Sequence, residues 1–135
     1  MSNQKLDQLI DQVENYIECW KQYNVFVNLA RAKKFSQDDD TQFLETKSVL
    51  VQELELILAS IEVEFPTKEE IHAVIGEAPS LRYLSEMNDG TLRSLESRWH
   101  RIYIGWHSIL GQLKVRQRGD ASKSGIGAVF RKKKR

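Results

Sequence analysis

The stretch LRSLESRWHRIYIGWHSILGQL, residues 92–113, places Leu92, Leu95, Trp99, Ile102, Trp106, Ile109 and Leu113 at alternating steps of three and four. Numbered as heptads from Leu92, these seven residues fill every a and d position, the pattern of one buried seam along a helix. That regularity assigns both tryptophans to the core. Tyr103 and Leu110 flank the seam, and His100 and His107 fall at its border, in line with Arg93 and Lys114.

The histidines invite a metal reading, which helical geometry weighs against. Two helical residues seven apart are separated by about 10.5 Å along the axis. A zinc–nitrogen bond is about 2.0–2.1 Å, so these imidazoles cannot share one ion through this helix alone. The expectation is indoles inward and imidazoles facing water, with the pairs Glu96–His100 and Tyr103–His107 able to meet on the surface.

Working back along the chain, helical spacing is sustained and strand-like alternation is nearly absent. A first helix is expected from about Gln4 to Lys34, with Leu6, Leu9, Val13, Tyr16, Trp20, Tyr23, Val27 and Ala30 as its buried stripe. Ile10 and Ile17 widen the stripe, and Val25, Phe26 and Leu29 give the second half a larger apolar arc. The segment FSQDDDT, residues 35–41, then turns the chain, with Ser36, Asp38, Asp39 and Asp40 as capable N-caps. A second helix, roughly Thr41 to Val63, carries Phe43, Leu44, Leu50, Val51, Leu54, Ile57, Leu58 and Ile61 inward and ends before Pro66. Its Val49, Leu56 and Val63 lie off the stripe and suggest an apolar strip for self-association.

Thr67-Lys68-Glu69-Glu70 has capping-box spacing and opens a short helix with Ile71, Val74 and Ile75 inward. Ser80 opens another, with Leu81, Leu84 and Met87 inward, stopped at Asn88-Asp89-Gly90. The last helix runs from Thr91 to about Arg118. The fold expected is all-α: an up-and-down bundle of three long helices, a short helical pair between the second and third, and a basic C-terminal tail. Residues 1–118 form the bundle domain and 119–135 a flexible tail. The short pair either fills the place of a fourth helix or joins three passes; with three passes, the first and last helices run the same way and Trp20 and Trp106 fall at similar heights.

Composition sets the class. The chain has 135 residues, 41% apolar and 29% charged, in the range of a globular domain. No apolar run approaches the roughly 18–20 residues that span a bilayer. The first residues, MSNQKLDQLIDQ, carry no apolar segment and cleavage site of the kind a secretory signal needs. Cys19 is the single cysteine, so no internal disulfide forms. A cytoplasmic protein is expected, or a nuclear one in a eukaryotic host.

Catalytic chemistry is hard to find. A di-metal carboxylate bundle needs Glu-x-x-His on two helices and a Glu from each of two more. Glu69–His72 gives one match, while Glu96–His100 has the wrong spacing. There is no C-x-x-C-H, G-x-S-x-G, P-loop or G-x-G-x-x-G. Cys19 lies beside the first helix's stripe, where a free cysteine acts as a small hydrophobe. No cofactor and no enzymatic activity are expected.

Charge is the informative feature. The net of +1 conceals 7 Lys/Arg against 15 Asp/Glu in residues 1–80, and 13 against 4 in residues 81–135. Arg93, Arg98, Arg101, Lys114, Arg116 and Arg118 belong to the last helix; Lys123, Arg131, Lys132, Lys133, Lys134 and Arg135 belong to the tail. Ile126, Val129 and Phe130 ahead of the terminal run add an apolar anchor. These cations and Phe130 form the candidate binding set, either for protein partners or for the phosphates of nucleic acid or, weakly, of an anionic membrane. The opposing expectation is that Glu45, Glu53, Glu55 and Glu62 neutralise part of the last helix. The function anticipated is a non-enzymatic interaction or adaptor protein docking through its basic tail; nucleic-acid binding is the alternative.

Overall fold

The computed structural model describes residues 2–122, and the side chains of residues 4–119. Within them lie five helices and no strand: α1 Ser2–Arg31, α2 Gln37–Leu58, α3 Lys68–Gly76, α4 Leu81–Ser85 and α5 Asp89–Ser122. The expected all-α bundle of three long helices with a short pair before the last is the observed architecture.

All eight residues of the α1 stripe are buried, together with Ile10, Ile17 and Phe26. One helix needs so wide an apolar arc because α1 packs along α2, α4 and α5 and also touches α3 at Val74. Val25 is the exception, remaining half exposed on the solvent side. The helix closes on Lys33, whose φ of 58° is the left-handed conformation. There Lys33 N–H donates to Ala30 O at 3.0 Å and Lys34 N–H to Leu29 O at 2.9 Å, satisfying carbonyls that the helix end leaves open.

The direction of α5 decides between three passes and four. Tyr16 OH donates to Leu50 O at 2.9 Å, and Phe26 packs on Phe43, so α1 and α2 are antiparallel. Arg31 reaches Glu96, Trp99 Nε1 donates to Trp20 O at 2.8 Å, and Lys114 reaches Glu14, so α1 and α5 are antiparallel too. The short pair therefore makes a full return pass. Tyr23 OH donates to Val74 O in α3, and Lys33 Nζ to Ser85 O at the end of α4. Lys68–Ser85 spans up to about 27 Å if helical throughout, nearly the ~33 Å of α2. Four passes, not three, make the bundle. Aromatic residues of α1 and α5 meet across this seam, with Tyr16 edge-on to Trp106 at a 4.9 Å centroid distance.

Removing the Tyr23 hydroxyl tests the α1–α3 contact. Tyr23→Phe leaves Val74 O without this partner in a buried place and is expected to cost about 1 kcal/mol in urea denaturation.

The ends of α2 differ from expectation. Ser36 is its cap, with a reciprocal capping box to Asp39, so Asp38, Asp39 and Asp40 occupy the first turn. Acidic side chains there face the positive helix end, which favours starting four residues earlier than Thr41. The helix stops at Leu58. Residues Ile61, Val63 and Phe65 are instead partly buried in alternation with exposed Glu62 and Glu64, ahead of buried Pro66. Val63 thus leaves the apolar strip, and Leu44, assigned inward, is 43% exposed.

At Thr67 only half of the capping box forms: its hydroxyl accepts from Glu70 N–H, while the Glu70 carboxylate turns to Arg101. Asn88 Oδ1 accepts from Thr91 N–H at 2.8 Å and so caps α5, whose first turn includes Gly90. At its far end α5 continues through Gly119 to Ser122, four residues past Arg118. A helix-interior glycine costs about 1 kcal/mol, which does not by itself stop a helix.

Along α5, Leu92, Leu95, Ile102, Trp106 and Leu113 are buried. Trp99 and Ile109 are only partly buried. Trp99 stacks on Tyr103 at 4.8 Å and turns its indole N–H to the Trp20 carbonyl, so it borders the core rather than filling it.

Candidate partner-binding surface

The cations of α5 divide into two groups. Arg93 pairs with Asp89 one turn earlier at 3.0 Å. Arg98 grips Glu77 with both guanidinium nitrogens, Nη1 donating to Oε2 at 2.9 Å and Nη2 to Oε1. Arg101 reaches Glu70 at 3.0 Å and lies over the Phe65 ring at 5.0 Å. Lys114 reaches Glu14 at 3.3 Å. Arg116 and Arg118 are exposed and have no ion-pair partner among the described residues.

The acidic partners come from α1, from α3 and its C-cap Glu77, and from α5 itself. Glu45, Glu53 and Glu62, assigned to this role, make no such pairs, and Glu55 holds Lys68 instead. The reason is topological: the fourth pass seats α5 beside α1 and α3. Likewise Glu96 serves Arg31 at 2.6 Å rather than His100.

The Arg98–Glu77 hydrogen bonds hold the Glu77 carboxyl below its ordinary range. A lowered folded-state pKa means stability that is present above the ordinary carboxylate range and lost as pH falls through the folded value. Because the Glu77 side chain is 48% exposed, solvent screens the pair. A double-mutant cycle on Arg98→Ala and Glu77→Ala is expected to return a coupling below about 1 kcal/mol. These pairs absorb charge more than they stabilise.

Beside α5 runs an open cleft of about 810 Å³ that the sequence did not announce. One wall is the segment 61–65; the other is the α5 face bearing His100, Arg101, Ile104, Ser108 and Gln112. Ile61, Val63, Phe65, Ile109 and Leu113 give it an apolar floor, and Ile104 is 51% exposed on its lip. Gly105 brings the walls together. A Cβ there would stand 3.0 Å from Pro66 Cδ and Cγ, and 3.2 Å from Phe65 Cδ2. The signals for this cleft were a glycine in mid-helix and the alternation Ile61-Glu62-Val63-Glu64-Phe65 before a proline.

His100 borders the cleft, whereas His107 meets Tyr103 edge-on at 4.7 Å and does not line it. His72, His100 and His107 are all exposed. Among the described residues no group of three or more His, Cys, Asp or Glu stands close enough to hold a metal ion. Burial pushes the Cys19 thiol up, away from the thiolate that a nucleophile needs. Among the described residues no helix is long and apolar enough to cross a membrane. Lys123, Phe130 and Arg131–Arg135 lie outside the described residues.

The chain matches no family model, no curated protein and no solved structure.

Proposed function

We propose that this chain is a non-enzymatic interaction protein whose bundle carries a basic C-terminal element that docks on an acidic surface of a protein partner. The observation that supports this reading is the division of charge on α5. Arg93, Arg98, Arg101 and Lys114 pair with carboxylates of the same molecule, while Arg116 and Arg118 have no ion-pair partner among the described residues. The positive field that acts outward is thereby concentrated at the end of α5, where the sequence continues to Lys123 and Arg131–Arg135. Phosphate recognition along α5 itself would need side chains that already have partners, which favours protein over nucleic acid. We place the docking in the cytoplasm, or in the nucleus of a eukaryotic host, where a lone cysteine suits a reducing compartment.

Chemical cross-linking in the host cell tests this. With Arg131, Lys132, Lys133, Lys134 and Arg135 all changed to glutamine, captured protein partners are expected to be lost, and capture by the natural chain should survive nuclease. Capture that is abolished by nuclease would replace the protein reading with nucleic-acid binding. Partners retained by the neutralised tail would remove the tail from the function.

Self-association through α2 is a lesser part of the proposal. Val49 and Leu56 remain exposed there, and a dimer by light scattering that Leu56→Glu dissociates would support it.

A further inference from the structure

The cleft beside α5 and the acidic edge that borders it have a natural occupant in the chain itself. Glu62, Glu64 and Glu69 are exposed, and none has an ion-pair partner among the described residues. They stand on the segment that forms one cleft wall and on the first turn of α3 after it. An apolar floor next to uncompensated carboxylates calls for a ligand with an apolar residue followed by cations. Residues 129–135, VFRKKKR, have that order.

The distances agree. Ile109 and Ile104 lie about 20 Å and 27 Å back along α5 from Ser122. The eight residues from Ser122 to Phe130 span at most about 26–29 Å when extended. A turn uses some of that reach, which brings Phe130 to the middle of the cleft, near Ile109 and Ile104.

The like charges on this path are Arg116 and Arg118 at its root and Arg101 further on. Arg101 is already met by Glu70. Arg116 stands near the tail's root, where Ser124, Gly125 and Ile126 would pass it without charge.

We propose that residues 123–135 fold back along α5 and seat in the cleft of the same chain, Phe130 on the floor between Ile104 and Ile109, with Arg131–Arg135 along Glu62, Glu64 and Glu69. The bundle thereby holds its own docking element. A partner must offer a stronger acidic surface than these three carboxylates, a threshold that selects against weakly acidic competitors. The seating stands on the cleft alone; its regulatory meaning rests on the function proposed above.

Zero-length carbodiimide cross-linking of the purified full chain tests the seating with no partner present. An equal mixture of 14N- and 15N-labelled protein separates bonds within a chain from bonds between chains. Expected are unmixed cross-links from Lys132, Lys133 or Lys134 to Glu62, Glu64 or Glu69. Their yield should fall at least fivefold with Phe130→Ala and with Ile104→Arg, an exposed position whose change leaves the core intact. Isotopically mixed products alone would assign the cleft to a second copy and overturn the proposal. So would the absence of these cross-links, or a yield that either substitution leaves unmoved. Partner capture is measured separately, so a failure here leaves the docking reading standing, and a failure there leaves the seating.

Discussion

Replacing Trp106 by alanine is expected to destabilise the protein by about 3–5 kcal/mol, the range for truncating a large buried aromatic. Trp106 is fully buried at the centre of the α1–α5 seam. Among the described residues its indole N–H has no hydrogen-bond partner, and truncation costs the transfer free energy of the ring and the cavity it leaves. Tyr16 loses an edge-on neighbour as well. Against a typical total stability of about 5–15 kcal/mol, the loss is large enough to lower Tm by roughly 10–20 °C. Urea denaturation followed by circular dichroism measures it. A loss below about 1 kcal/mol would mean the ring is not core and would dismantle the seam. Trp99→Ala should cost less, because that ring is partly exposed.

The second large effect has a sign opposite to intuition. Alanine in place of glycine inside an exposed helix ordinarily gains about 1 kcal/mol. Gly105→Ala is expected instead to lose about 1–2 kcal/mol net, as the cost of overpacking exceeds that gain. The new methyl would meet the Pro66 ring at 3.0 Å, and that ring is tied to the backbone and cannot swing aside. Gly111 provides the control on the same helix. Nothing lies within 4 Å of its built Cβ, so Gly111→Ala should stabilise by about 0.5–1 kcal/mol. Equal gains at both positions would show that segment 61–65 does not pack on α5.

The contrast between these two glycines marks where sequence reasoning reached its limit. Periodicity identified the buried stripe of α1 residue by residue, and most of the α5 seam, because burial on one face of a helix repeats along the chain. Capping chemistry placed the starts of α3 and α4, where Thr67 and Ser80 each accept the expected backbone N–H. Periodicity carries no information about direction. A short helical pair can be a loop decoration or a whole pass, and only the contacts of Tyr23 with Val74 and Lys33 with Ser85 decide that it is a pass.

The candidate surface was legible in part. The charge asymmetry was visible as composition, but which cations are neutralised depends on which helix lies beside α5. With α2 beside α5, Glu45, Glu53, Glu55 and Glu62 would be the partners. The fourth pass brings Glu70 and Glu77 instead. The cleft went unseen for a related reason. Helical spacing of apolar residues continues to Val63, past the end of α2 at Leu58, and masks the alternation of segment 61–65.

The direction of α5 pairs Arg98 and Arg101 with Glu77 and Glu70 and lays Arg116 and Arg118 beside the start of α1, where Gln117 Nε2 donates to Asp7 Oδ1 at 2.7 Å. Distances between spin labels test it most directly. In a Cys19→Ser background, labels would be placed at the exposed positions Lys5→Cys with Arg118→Cys, and Lys5→Cys with Arg93→Cys. Antiparallel packing predicts a short Lys5–Arg118 distance and a Lys5–Arg93 distance longer by roughly 25–38 Å, given 25 residues of intervening helix. The reverse ordering, with Arg93 near Lys5 and Arg118 far from it, would contradict the four-pass bundle and the charge division built on it.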